Sequence, residues 1–328
     1  MFEELTGKGL LIHHWDTDGI CSAKLLLEKL EGKDLENKTP IIGNYFLTED
    51  ELENYSKYDF VIIADMSLPE DNVLRLAENA KVMIFDHHLG KVIESVFHHN
   101  PIIKGENPDL YPSASWIVND YLGNDTNLFA LLGIIGDHEQ KIKNNPDFSK
   151  KIDEFCQQNK LTFEDLHKMV YLLDTNYKVG DKQAVEQAPH DLLKVQNGEE
   201  ILNNTSWNEN LNNLENEMNK ILNSSSEEIN DIIFKKINTP YNIISTITRK
   251  IAWDSGKNAL VINTGFFDDK DQIYMRSKKD AAPIIKKGKE LGFKCGGKKE
   301  VLGAIVPKDK TNMFIEEIIL FLENKKGG

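Results

Sequence analysis

Cysteine is scarce in this sequence: Cys21, Cys156 and Cys295 are scattered through 328 residues, and no two of them form a C-x-x-C pair. An odd, dispersed set argues against a disulfide framework and against a structural zinc site. Long apolar runs are also missing; none approaches the roughly 18 residues that a membrane span needs. The opening MFEELTGKG lacks the basic-then-apolar order of a signal peptide. A cytoplasmic protein with no membrane association is therefore expected. No G-x-x-x-x-G-K-[ST] occurs and no G-x-G-x-x-G follows a strand pattern, so neither a P-loop ATPase nor a dinucleotide-binding fold is indicated. Basic residues are outnumbered, 39 against 53 acidic, for a net charge of -14. Taken over the whole chain, that balance disfavours a nucleic-acid partner, because phosphate contacts need Lys and Arg.

What is present reverses that impression. Apolar residues make up 40% of the chain and charged residues 28%, a mixture that builds a core and excludes a mostly disordered polymer. The length suits two domains, or one large one. The charge is unevenly placed: residues 235–328 carry a net of +8 and residues 1–234 a net of -22. An acidic body with a basic tail domain points to an anionic ligand.

The first third alternates short β-branched runs with helical spacing. GLLIH (9–13), IIGNYF (41–46), FVIIA (60–64) and VMIF (82–85) read as buried strands. Helices are expected at 20–30 and 69–79, and again at 113–121 and 126–136, where a Ser or Thr can cap each one. Strand–helix alternation implies an α/β fold with a parallel sheet and helices on both faces. Residues 140–205 read as helical. Trp207, Leu211, Leu214, Met218 and Ile221 recur at spacings of four and three, the stripe of an amphipathic helix. Beyond it the chain turns basic and strand-like, as a smaller mixed α/β C-terminal domain. The expected organisation is residues 1–195 as catalytic domain, 196–225 as helical connector and 226–328 as substrate-binding domain.

The chemistry collects at strand ends. His13-His14-Trp15-Asp16-Thr17-Asp18-Gly19 follows the first strand, Asp65 the third and Asp86-His87-His88 the fourth. Ligands of open α/β sheets lie outside the carboxyl ends of the strands. Four or more carboxylates gathered there are costly unless cations fill the cluster. Carboxylate with imidazole suits manganese, iron or zinc better than calcium. This many anionic ligands suits two ions, which together clamp a phosphoryl group and activate water.

These segments resemble the DHH phosphoesterase superfamily. Its first motif is matched by His14-Trp15-Asp16-Thr17-Asp18-Gly19, its second by Ala64-Asp65, its name motif by Asp86-His87-His88 and its fourth by Gly136-Asp137-His138. The resemblance covers residues 1–140 and implies roles residue by residue. Asp16 and Asp18 each bind one metal, Asp65 bridges both, and His87 and Asp137 complete the shell. His88 contacts the scissile phosphate or positions water, and Asp86 orients an imidazole. Some members carry an extra ligand histidine four residues before the first Asp, where Ile12 stands here, so whether His14 is a ligand is left open; His13 is assigned to structure. The resemblance implies two Mn2+ per site, with Mg2+ as substitute. His98 and His99 are expected to pack in a loop, and His138 either to reach substrate or to cap a helix.

The C-terminal part resembles the DHH-associated domain of the first subfamily. Tyr274-Met275-Arg276-Ser277 matches its arginine-bearing strand, and Cys295-Gly296-Gly297-Lys298-Lys299 its glycine-rich loop, with Lys298 where the family usually has histidine. Arg276, Gly296, Gly297, Lys298 and Lys299 are the expected substrate contacts. Residues 278–299 hold eight lysines against two acids, an expected cationic rim. Within the superfamily the chain resembles the compact archaeal RecJ-like and Hef-associated nucleases. That implies a metal-dependent exonuclease on single-stranded DNA or RNA, acting in DNA repair or replication. It also implies a repair helicase of the Hef type or another repair factor as partner, and a homo-oligomer. The alternative is a phosphodiesterase for short oligoribonucleotides, phosphoadenosine phosphate or cyclic dinucleotides. A scaffold relative that has lost its ligands is disfavoured, since every acidic ligand is present.

Overall fold

The structure, a computed structural model, describes residues 2–297 and 299–323. The chain divides into two compact units, residues 1–177 with 181–211, and residues 178–180 with 212–328. The division falls inside the helix Thr205–Asn223, which the sequence places in its connector.

The first unit is built on five parallel strands, β1 (Gly9–His13), β2 (Leu35–Lys38), β3 (Phe60–Ala64), β4 (Lys81–Phe85) and β5 (Phe97–His99), in the spatial order β2-β1-β3-β4-β5. Every residue of β1 and β3 is buried, as expected of strands covered on both faces by helices. The strand order reverses at β1, so the β1 and β3 ends flank the switch point at which α/β sheets open a crevice.

Two strand expectations need correction. The run 41–46 is irregular, and the strand beside β1 is Leu35–Lys38. LENK is polar because β2 is an edge strand; Asn37 donates to the Glu186 carbonyl at 2.8 Å, anchoring it to the helix Lys182–Leu192. His98 and His99 lie in β5 rather than in a loop. The His98 Nδ1 accepts the Ile93 N–H, and the His99 ring stacks on Phe97. The helix expected from residue 126 is Leu128–His138, with Asn127 as its cap, accepting from Phe129 and Ala130. It runs two residues beyond Gly136 and so carries Asp137 and His138 in its last turn.

Among the described residues the second unit holds six strands, β6 (Glu227–Ile229), β7 (Ile232–Ile237), β8 (Asn258–Asn263), β9 (Lys270–Arg276), β10 (Lys294–Gly296) and β11 (Val301–Pro307), ordered β10-β11-β9-β8-β7-β6. Only β7 and β8 run parallel. Leu260, Ile262, Ile273, Met275, Leu302 and Phe314 form the core of one face. Leu214, Ile221, Ile247 and Val261 pack on the other, so the helix Thr205–Asn223 contributes to this core. Among the described residues no helix is long and apolar enough to cross a membrane.

Candidate metal centre

The turn after β1 starts the helix Thr17–Lys29. Asp16 caps it, one carboxylate oxygen accepting the Gly19 N–H at 3.2 Å while the other lies 2.8 Å from His14 Nδ1. The cap is buttressed from far along the chain: Asp174, on the helix Phe163–Lys178, accepts from both the Thr17 N–H (3.1 Å) and the Thr17 hydroxyl (2.7 Å). Asp18 is buried and bound at both oxygens, to the N–H groups of Ala114 (2.7 Å) and Ser115 (2.9 Å) at the N-terminus of the helix Ala114–Tyr121. Ser113 caps that helix, as expected, through the Trp116 N–H. A helix N-terminus suits a carboxylate, since its first N–H groups lack partners.

Glycine makes room for this arrangement. A methyl group at Gly133 would stand 2.0 Å from Ser115 Oγ and 2.2 Å from Asp18 Oδ1. No local pattern in the sequence singles out Gly133.

Asp65 leaves β3 in the left-handed region, at φ 58, held by its N–H to the Phe85 carbonyl at 2.9 Å. A non-glycine residue there is strained, and Asp is among the few that tolerate it. The conformation delivers the carboxylate between two imidazoles: Oδ2 is 3.6 Å from His14 Nδ1 and Oδ1 is 3.5 Å from His87 Nε2. His87 Nε2 also lies 3.1 Å from Asp137 and 4.0 Å from Asp18. His88 turns its Nδ1 to Asp86 at 2.7 Å.

Three overlapping groups can hold a metal ion: Asp65, His87 and His88; His14, Asp16 and Asp65; Asp18, His87 and Asp137. Within each, the ligand atoms lie within 4.8 Å of one another. Asp65 belongs to two groups and so does His87. The structure thus brings Asp16, Asp18, Asp65, His87 and Asp137 together, with Asp86 behind His88.

The electrostatics agree with a cation-binding cluster. Burial, then the charges of Asp18, Asp16, Asp137 and Asp86, push the Asp65 carboxyl well above its ordinary value. Burial also opposes ionisation of Asp86, but the hydrogen bond and charge of His88 outweigh it and hold Asp86 low. The same pair acts on His88, where burial is outweighed by Asp86 and the imidazole is raised. His87 is lowered by burial. Like charges about 4 Å apart repel by roughly 4 kcal/mol at the effective dielectric of a protein surface, so four carboxylates need compensation beyond the imidazoles.

His14 stands beside Asp16 and Asp65 in one of the three groups. Both its ring nitrogens are buried without a hydrogen-bond partner, although Asp16 is close to one of them. The family pattern points four residues before Asp16, where Ile12 stands, whereas this imidazole stands two before it. His13, by contrast, is structural, fully buried with Nδ1 donating to the His14 carbonyl (2.6 Å) and Nε2 accepting from Asn37 (3.2 Å). His138 Nε2 donates to the Pro112 carbonyl at 2.9 Å and lies outside the three groups.

In the second unit Arg276 ends β9, opposite Ala259 of β8 and Val301 of β11. Among the described residues it has no ion pair with Asp280, whose carboxylate accepts the Ala282 N–H. Gly297 is required by space: a methyl group there would meet the Val301 carbonyl oxygen at 1.9 Å. Gly296 ends β10 opposite Gly303, Lys299 is exposed, and Lys298 lies outside the described residues. The expected cationic rim is smaller than its lysine count. Lys279 donates to the carbonyls of Phe321 and Leu322, and Lys286 and Lys287 pair with Glu290 and Glu317.

No family model and no curated protein matches the sequence. Solved structures do match. The chain is similar to an exonuclease RecJ bound to manganese, with a TM-score of 0.70 and 15% identity over 97% of this chain and 90% of that one. It is similar to the DHH domain of a member of a family of ribosomal proteins, at 0.69 and 17% over 98% and 88%. A pGpG-specific phosphodiesterase from Vibrio cholerae aligns at 0.51 and 13% over 96% and 99%. At these identities the likeness is one of fold, and the fold is that of the DHH-domain proteins.

Proposed function

We propose that this chain is a metal-dependent phosphodiester hydrolase of the DHH superfamily, and within it an exonuclease on single-stranded nucleic acid. The observation that carries the reading is the position of Asp65, one carboxylate shared between two ligand groups on either side of it. A shared carboxylate suits two divalent ions better than one. His14, Asp16 and Asp65 would hold one; Asp18, Asp65, His87 and Asp137 would hold the other. When bound, such a pair polarises a phosphoryl group and supplies hydroxide near neutral pH.

The chain's own residues define what else happens there. Asp18 is fixed by two backbone N–H groups, so its geometry is set before any ligand arrives. Asp86 keeps the His88 imidazole protonated at Nδ1 and turned toward the cluster, where it can donate to a phosphate oxygen. The nuclease reading over its small-substrate alternative is supported by the higher TM-score to RecJ than to the pGpG-specific phosphodiesterase, 0.70 against 0.51, and by the basic second unit. Manganese is the metal proposed, on the mixed carboxylate–imidazole ligand set.

The test is a substrate panel with Mn2+: end-labelled single-stranded DNA and RNA, their duplexes, a dinucleotide, a cyclic dinucleotide and polyphosphate. Stepwise release of mononucleotides from single strands is the expected outcome. Turnover confined to the dinucleotides or to polyphosphate would replace the nuclease assignment with the corresponding small-substrate one.

A further inference from the structure

We propose that Trp253, flanked by Arg249 and Arg276, is a stacking platform for one base of a bound single strand. The inference deepens the nuclease reading and rests on it. Trp253 is 63% exposed, whereas Trp15 and Trp207 are buried at 4% and 6%. A large indole left in water forgoes the burial that stabilises most tryptophans, which marks it as a contact for something else. The helix Ile244–Ser255 buries Ile244, Ile247 and Thr248 against its own unit. Arg249 and Trp253, four residues apart, share another face.

Two guanidinium groups approach this indole. Arg249 lies 5.4 Å and Arg276 5.8 Å from its ring centroid, measured at Cζ. They come from different elements, the helix and the end of β9, so the convergence is a product of the fold rather than of sequence spacing. The Arg276 Nε is buried without a hydrogen-bond partner, a donor left for a ligand. A nucleotide satisfies all three features at once. Its base stacks on the exposed indole, and its phosphate accepts from the Arg276 guanidinium. Stacking is indifferent to base identity, which suits an enzyme that degrades strands without sequence preference.

The experiment uses the full chain held metal-free by a chelator, so that binding is read without turnover. An oligodeoxythymidylate and an abasic strand of the same length are titrated against wild type, Trp253→Ala and Trp253→Phe. The expected result is that wild type prefers the thymidylate strand by about tenfold, with quenching of the exposed tryptophan's emission. Trp253→Ala should lose that preference and keep its affinity for the abasic strand, and Trp253→Phe should retain part of it. Equal affinity of wild type for both strands, or a full preference in Trp253→Ala, would overturn the proposal. The exposed position predicts unchanged melting for both variants, and Trp253→Phe decides if the alanine variant melts early. Because no metal is present, a chain that binds in this way yet cuts nothing in the substrate panel would sink the nuclease reading alone.

Discussion

Asp86 Oδ1 and His88 Nδ1 lie 2.7 Å apart, and each holds the other charged: the carboxyl is kept low and the imidazole is raised, against the burial that opposes both. Among the described residues Asp86 forms its ion pair with His88, and its charge also raises the Asp65 carboxyl, so it acts on the cluster through both. Asp86→Asn removes the negative charge and lowers the His88 pKa, which an NMR titration of the imidazole reads directly. Hydrolysis should fall by about 10- to 100-fold, the usual consequence of losing a partner that orients an imidazole. An unchanged titration would separate the pair.

Asp65 is crowded by four other carboxylates, and its raised pKa expresses that repulsion together with its burial. Asp65→Asn relieves it, and asparagine tolerates the left-handed conformation nearly as well as aspartate. The metal-free variant should therefore melt at or above the wild-type temperature while its hydrolytic activity is abolished. A variant that melts well below wild type would show that the carboxylate serves the fold.

Gly133→Ala tests how tightly Asp18 is held. The added methyl would overlap Ser115 Oγ and Asp18 Oδ1, so one of them has to move. Overpacking of this kind costs about 1–3 kcal/mol, and displacement of Asp18 should lower hydrolysis at least a hundredfold, as small misplacements of reacting groups do. Thermal melting and initial rates measured together report both effects.

Much of the first unit is legible in sequence because β1 and β3 are buried on both faces and so read as unbroken apolar runs. β2 is not, since an edge strand with the composition LENK carries no hydrophobic signal, and its place is fixed by Asn37 and Glu186 instead. The acidic candidates stand at strand and helix ends, where the pattern points. The nearness of His14 to Asp16 and Asp65 escapes the pattern because it depends on where the turn aims the ring, not on spacing from Asp16. Asp174, Gly133 and Trp253 act through partners supplied by distant segments, and such pairings have no local signature.

His13 should give the protein a measurable acid sensitivity. Burial lowers this imidazole from 6.5 to about 4, so the folded state prefers it neutral. Its contribution is complete above pH 6.5 and is lost as pH falls from 6.5 toward 4, since the unfolded chain takes up the proton first. The loss amounts to up to about 3 kcal/mol. His13→Asn keeps a donor near the Nδ1 position and does not titrate. Denaturant unfolding at intervals across that window should show a shallower fall for the variant, though it begins from a lower stability.

The central claim is that Asp65 joins two ion sites, and counting bound Mn2+ by electron paramagnetic resonance tests it most directly. The expected result is two ions per wild-type chain at saturation and no more than one in Asp65→Asn. A wild-type chain that binds one ion or none, or an Asp65→Asn chain that still binds two, would contradict it.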